Sequence, residues 1–240
     1  MTSLAHTPAQ GHAAHEAEEA ALDRVAAHAF AADAGAQDLA QDMAALARCG
    51  WLARLVETPD PQVQATLLRR VGRASLSVGR LVEGHMNAMK LIALYGTPDQ
   101  ARRHLAAARE GGVYGIWGAD DKRPVTVEGE TGGRLRLSGG KRFASGLGTV
   151  TRAVVTATHP DGLRLAIADV SDARRADPGS WNTSGMRATK SGTYDVDGMT
   201  AETLGAAGDY LREPHFQGGV WRYAAVHTGG LEALAEEVRL

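Results

Sequence analysis

Cysteine is nearly absent from this 240-residue chain. Cys49 stands alone, which excludes an internal disulfide framework and fits a reducing compartment. Neither sign of charge is in excess: 26 basic and 28 acidic side chains leave a net charge of -2. No basic stretch interleaves with aromatics, so nothing supports a nucleic-acid surface. There is no run of 18 apolar residues, and no membrane-spanning helix is expected. The N-terminus lacks a basic region followed by an apolar core, so no secretory signal is expected either, and the cytoplasm is the expected compartment.

Several chemical signatures are missing as well. Gly139-Gly140-Lys141 lacks the GxxxxGK[ST] spacing of a phosphate loop, and Gly146-Leu-Gly148 lacks the third glycine of a dinucleotide fingerprint. No Ser–His–Asp or Cys–His constellation can be ordered along the chain. His6, His12, His15 and His28 have no compact ligand spacing with Cys or Glu, so no metal site is expected. What is present is a soluble globular composition, 44% apolar and 22% charged, long enough for one large domain or two ordinary ones.

Residues 1–110 read as an all-helical domain of about five helices. Residues 1–15 have no firm periodicity. Leu22, Val25, Ala26, Ala29 and Phe30 then recur at helical steps, as do Leu39, Met43, Leu46 and Ala47. Gly50 breaks the second run, and Thr58-Pro-Asp-Pro61 punctuates the chain before a third helix. A fourth runs towards Leu94 and ends at Tyr95-Gly-Thr-Pro98, with Gly96 as its C-cap. Thr97, Pro98 and Gln100 have the order of a capping box opening the next helix. Gly79 and Gly84 inside the fourth helix each cost about 1 kcal/mol relative to Ala. Close helix packing accounts for them, or clearance for a ligand. His85 and Asn87 sit beside Gly84, and a core or surface role rather than a catalytic one is expected for His85.

Residues 111–208 read as a small β-domain. Arg134-Leu-Arg-Leu137 and Leu163-Arg-Leu-Ala-Ile-Ala-Asp-Val170 alternate, and Ala153-Val-Val-Thr-Ala157 has the form of a buried strand. Gly132-Gly133, Gly139-Gly140 and Pro160-Asp-Gly162 supply the turns. No strand alternates with a long helix, so an antiparallel barrel or sandwich is expected rather than a doubly wound sheet. Helix returns over residues 209–240 and stops in mid-pattern at Leu240, so the sequence reads as cut short. The fold class is therefore α+β.

The glycine-rich middle carries the candidate chemistry. Phe143 and Ser145, in Leu137-Ser-Gly-Gly-Lys-Arg-Phe-Ala-Ser-Gly-Leu-Gly148, lie two residues apart and share one face if the segment is extended. A ring that stacks and a hydroxyl that bonds suit a planar heteroaromatic group, whereas a core Phe in a plain strand is the simpler alternative. Trp117 is a second aromatic in a strand-like stretch. Arg187 and Lys190, in Trp181-Asn-Thr-Ser-Gly-Met-Arg-Ala-Thr-Lys-Ser191, suit an anion or solvent. Asp120 and Asp121 read as a charged turn.

In order and spacing these features resemble the acyl-CoA dehydrogenase superfamily over roughly residues 20–240. The most specific pieces are Gly140-Lys-Arg-Phe-Ala-Ser-Gly146 and Trp181 to Ser191; Tyr95-Gly-Thr-Pro-Asp-Gln100 and Trp221-Arg-Tyr-Ala-Ala225 add support. The resemblance implies FAD lying across the β-domain. Trp117, Gly118 and Ala119 would border the ring, with backbone groups of Gly118 and Ala119 on its pyrimidine side. Phe143 takes the place of a tryptophan that packs on the ring, and Ser145 that of a threonine bonding near N5. Arg222 would reach the pyrophosphate, commonly of a neighbouring subunit.

The implied reaction is removal of the α-proton of an acyl-CoA-type thioester with hydride transfer from the β-carbon to flavin, as in fatty acid metabolism. An electron acceptor and a homo-oligomer are implied partners. Two departures matter. The usual loop is replaced by Ala119-Asp-Asp-Lys-Arg-Pro124, and Glu232, Glu236 and Glu237 are too early in the chain for the catalytic base, which is left unassigned. A flavin-dependent monooxygenase of the same layout is the alternative, and an inactive scaffold or fragment is another.

Overall fold

The computed structural model describes residues 8–213 and 217–239. Six helices form the first layer: α1 (Pro8–Asp33), α2 (Ala40–Arg48), α3 (Trp51–Glu57), α4 (Pro61–Ala74), α5 (Leu76–Tyr95) and α6 (Pro98–Arg109). Helix α1 is helical from Pro8, earlier than the apolar periodicity indicates. The sixth helix arises at Gly50. Its φ of 81° lets the chain turn between α2 and a separate α3, which buries Trp51, Leu52 and Leu55. Asp60 caps α4 ahead of Pro61, and Ser75 caps α5. The expected capping box of Thr97 and Gln100 opens α6. Gly96 does follow α5, but in extended geometry (φ -74°, ψ 154°) rather than the left-handed conformation of a glycine cap.

The strands are β1 (Tyr114–Trp117), β2 (Thr126–Thr131), β3 (Arg134–Ser138), β4 (Gly140–Ala144), β5 (Arg152–His159), β6 (Gly162–Asp169), β7 (Ala176–Asp177), β8 (Gly192–Asp195) and β9 (Thr200–Leu204). The ladder β5-β2-β3-β9-β6 closes back on β5, giving a small barrel with β1 added to β5. Closure leaves few free edges in a domain of this size. Two pairings depart from the antiparallel pattern, because β1 and β2 both run parallel to β5 along one of its edges. A second sheet, β4-β8-β7, covers one side.

Helix α5 joins the layers. Val82, Ala88 and Ile92 have no exposed surface, and the backbone N–H of Tyr114 in β1 donates to His85 Nδ1 at 3.1 Å. Helix α7 (Val220–Glu237) then returns across α4 and α5. It comes so close that a Cβ on Gly229 would sit 1.9 Å from the Arg69 carbonyl oxygen, and one on Gly79 would sit 2.7 Å from Val226 Cγ1. The packing account of Gly79 therefore holds. Ion pairs of Arg69 with Glu232 and of Arg73 with Glu236 fasten the same crossing.

Candidate functional site

The two glycine-rich segments meet. Gly146 N–H donates to the Thr189 carbonyl at 2.7 Å, the Ser145 and Ser191 hydroxyls lie 2.8 Å apart, and Ser191 is 2.8 Å from the Thr189 hydroxyl. The Phe143 ring meets Trp181 edge-on with centroids 6.4 Å apart. The cap of this corner comes from α1, where Asp33 accepts the Ala188 N–H at 3.1 Å and lies 3.8 Å from Arg187.

The segment around Phe143 is not extended. Pairing of β4 with β8 slips between Lys141 and Ala144, and Phe143 adopts φ 52°. A bulge of this kind turns Phe143 outwards, 53% exposed, while Ser145 turns in towards Ser191. The simpler alternative of a core Phe is thereby excluded. Among the described residues the non-glycine positions with positive φ are Phe143, Met186 and Lys190, all in the two segments singled out from the sequence. Each such conformation costs on the order of 1–3 kcal/mol and persists where surroundings impose it, which makes this corner a functional candidate.

Beside it, β1 ends in Trp117, whose Nε1 donates to the Ser145 carbonyl at 3.2 Å and whose ring packs on Tyr194. Gly118 and Ala119 continue β1; the Ala119 carbonyl accepts from Arg142 N–H at 3.0 Å. Lys141, which follows the Gly139-Gly140 pair, is completely buried. Its Nζ donates to Asp120 Oδ1 at 2.5 Å, to Thr156 Oγ1 at 2.8 Å and to the Gly118 carbonyl at 3.4 Å. Burial holds its pKa below the usual lysine value, with Asp120 opposing. Asp120 is thus an internal ion-pair partner rather than half of a solvated turn. Lys141 fixes the path of the backbone at Gly118.

A cavity of about 400 Å³ opens between α5, β1 and α7. Its polar lining is Arg80, Glu83, Asn87, Lys90, Tyr210 and Arg222, and its apolar lining includes Leu91, Leu94 and Ile116. A smaller void shares Arg80 and Ile116 with it and reaches Gly84, Trp117 and Ser145. A Cβ on Gly84 would meet nothing within 4 Å, so this glycine leaves open space where Gly79 permits helix contact. Arg80 and Asn87 donate to the two oxygens of Glu83. Asn87 Oδ1 accepts from Arg222 Nε at 2.5 Å. Burial pushes the Tyr210 phenol up to about 12, helped by Glu83, and draws the Arg222 guanidinium down.

Of the residues singled out from the sequence, Trp117 and Ser145 line the small void and Gly118 and Arg222 line the cavity. Phe143 lies on the outer side of the strained corner, and Ala119 is half-buried after Gly118. Arg222 is 4% exposed and faces the interior of its own chain. His85 takes the core role of the two expected, with its pKa lowered to about 4 by burial. The sequence reading missed Glu83, Lys90, Tyr210 and Lys141. Glu83, Asn87 and Lys90 recur at helical steps in an otherwise apolar α5, and that spacing is the signal that could have found the first two of the four.

No family model and no curated protein sequence matches the chain. Solved structures do share its fold. FMN-bound TdsC from Paenibacillus sp. A11-2 superimposes with a TM-score of 0.76 at 21% identity, over 94% of this chain and 64% of that one. Butyryl-CoA dehydrogenase from Megasphaera elsdenii gives 0.75 at 15% identity, over 99% and 70%. KijD3, in complex with FMN and a dTDP-linked amino keto sugar, gives 0.73 at 20% identity, over 95% and 63%. The chain therefore spans less than two thirds of TdsC and of KijD3.

Proposed function

Given that the chain has the acyl-CoA dehydrogenase fold, we propose that it carries the flavin-binding wall and the substrate cavity of a flavin-dependent oxidoreductase. The carrying observation is the strained, half-exposed Phe143 beside the Ser145–Ser191 pair. It offers a ring face and, in the Ser145 oxygen, a hydrogen-bond acceptor at one corner, for FAD or the smaller FMN. The residues fit such a group. Gly84 and Gly118 leave space that side chains would fill. Bound flavin would supply hydride acceptance or, with oxygen, oxygen transfer.

The chain's own residues do the rest. Phe143 stacks on the ring, and Ser145, oriented by Ser191, holds a hydroxyl to its edge. Gly118 and Ala119 present backbone groups, kept in place by Lys141. Trp117 closes the wall behind them, and Leu91, Leu94 and Ile116 exclude water from the substrate side. TdsC with FMN bound, a butyryl-CoA dehydrogenase and KijD3 with FMN share the fold, which supports a flavin reading.

Oxidation of an acyl-CoA-type thioester is the first reaction proposed. It requires a free base to take the α-proton. Among the described residues Glu83 is the one carboxylate lining the cavity, and Arg80 and Asn87 occupy both of its oxygens. A second reading is monooxygenation of a small aromatic substrate, and a structure of like fold supports it. Among the structures of like fold is the dibenzothiophene monooxygenase TdsC, also solved with FMN and indole. Two assays on the flavin-loaded protein separate the reactions. Dye reduction dependent on butyryl-CoA supports the first. Label from ¹⁸O₂ in oxidised indole, with reduced flavin supplied, supports the second. Neither signal from flavin-loaded protein overturns both.

A further inference from the structure

The polar lining of the large cavity is not balanced in charge. Three cations, Arg80, Lys90 and Arg222, face it with one carboxylate, Glu83. Arg80 is paired with that carboxylate. Lys90 and Arg222 have no carboxylate oxygen within 4.0 Å among the described residues, and Asn87 separates Arg222 from Glu83. Arg222 is 4% exposed, and its Nη1 finds no acceptor. A buried guanidinium N–H without a partner is rare in a native fold unless a ligand completes it. The rest of the lining is apolar or aromatic: Leu91, Leu94, Ile116, Val220 and Tyr223.

We propose that this cavity takes a small organic anion, its charged oxygen group held between Lys90 and Arg222 and its apolar body against Leu91, Leu94 and Ile116. The inference rests on reading the cavity as the substrate side of the flavin site. Lys90 is exposed on α5 and Arg222 is buried near the start of α7, and both line the same cavity. Each cation also feels the other: burial and the charge of Arg222 both draw the Lys90 pKa down. A shared counter-ion removes that repulsion; the Arg222 guanidinium fork gives direction and the Lys90 ammonium adds charge. The Glu83 carboxylate is bound by Arg80 and Asn87, which offsets its repulsion of a second anion. The substrate class that follows is an aryl or alkyl carboxylate or phenolate rather than a neutral hydrocarbon.

The test compares 4-propylbenzoate with its neutral analogue 4-propylbenzamide by calorimetric titration of the folded protein. The benzoate is expected to bind at least about tenfold more tightly, the margin typical of charge-assisted over neutral hydrogen bonds. Lys90→Met changes an exposed side chain and is expected to remove most of that preference while leaving benzamide affinity unchanged. Arg222→Gln, checked for folding by circular dichroism, is expected to do the same. Equal binding of the two probes, or a preference that survives Lys90→Met, overturns the proposal. Titration with FMN and FAD, followed by flavin fluorescence, separates its failure from that of the flavin reading. A benzoate preference without flavin uptake sinks only the flavin reading, and flavin uptake without the preference sinks only this one. Displacement of benzoate by flavin would assign the two cations to the cofactor and overturn the proposal as well.

Discussion

The hydroxyls of Ser145 and Ser191, 46 residues apart in sequence, lie 2.8 Å from each other and join the two glycine-rich segments at one corner. Ser191 in turn bonds Thr189, so the Ser145 hydroxyl is the outermost member of a short relay. Ser191→Ala breaks the relay and is expected to cost about 1 kcal/mol of stability, the usual net value of one hydrogen bond. Flavin affinity should fall with it because the Ser145 rotamer is no longer fixed. Urea unfolding and flavin titration of the same variant measure the two effects.

Phe143 yields a prediction with opposite signs. Its φ of 52° is a conformation glycine adopts freely. Phe143→Gly is therefore expected to stabilise the flavin-free chain, or at worst leave it unchanged, while weakening flavin binding by about 1–3 kcal/mol through lost stacking and burial. Phe143→Ala should show the same loss of affinity without the gain in stability. A core phenylalanine would instead be strongly destabilised by either change.

Much of the fold was legible in particular residues. Thr58-Pro-Asp-Pro61 marks the break before a helix, and Thr97-Pro98 with Gln100 marks a helix start by local chemistry alone; the Thr97 capping box forms as expected, and Asp60 caps α4 in addition. The candidate site stood out by residue type, because Phe143, Ser145 and Trp117 stand in glycine-flanked stretches. Their geometry was not. The positive φ of Phe143 accompanies a slip in the pairing of β4 with β8 and a bond from Gly146 to Thr189, and no local pattern announces either. Lys141 was missed because a lysine next to two glycines reads as surface, whereas a partner at Asp120 is what permits its burial. The interior setting of Arg222 was equally out of reach, because Asn87 lies 135 residues away.

The two glycines of α5 should respond oppositely to alanine. Gly79→Ala places a Cβ 2.7 Å from Val226 Cγ1 and is expected to destabilise the chain by about 1–3 kcal/mol, the range for overpacking. Gly84→Ala meets nothing within 4 Å and should stabilise α5 by up to about 1 kcal/mol through helix propensity. If the void behind it admits part of the flavin or substrate, Gly84→Leu will fold but bind less tightly. Thermal melts and binding titrations of the three variants decide this.

Stability should fall on mild acidification. His85 is buried and neutral, with its pKa lowered from 6.5 to about 4. The unfolded chain takes up a proton as pH drops through 6.5, and the fold resists it until about pH 4. Stability is thus complete above pH 6.5 and declines towards pH 4, by roughly 3 kcal/mol from this group. His104, also lowered by burial, acts in the same direction. Urea unfolding at pH 7 and pH 4.5 measures the loss, and His85→Asn, which keeps an acceptor for the Tyr114 N–H, should remove the share due to His85.

The central claim is that the corner built from Phe143, Ser145 and Trp117 is a flavin wall. Titrating the purified, folded chain with FMN and with FAD while following flavin fluorescence tests it most directly. Saturable uptake of one flavin per chain is expected, weakened about tenfold or more by Phe143→Ala. A folded, monodisperse chain that takes up neither flavin, or takes up flavin equally well without the Phe143 ring, would contradict it.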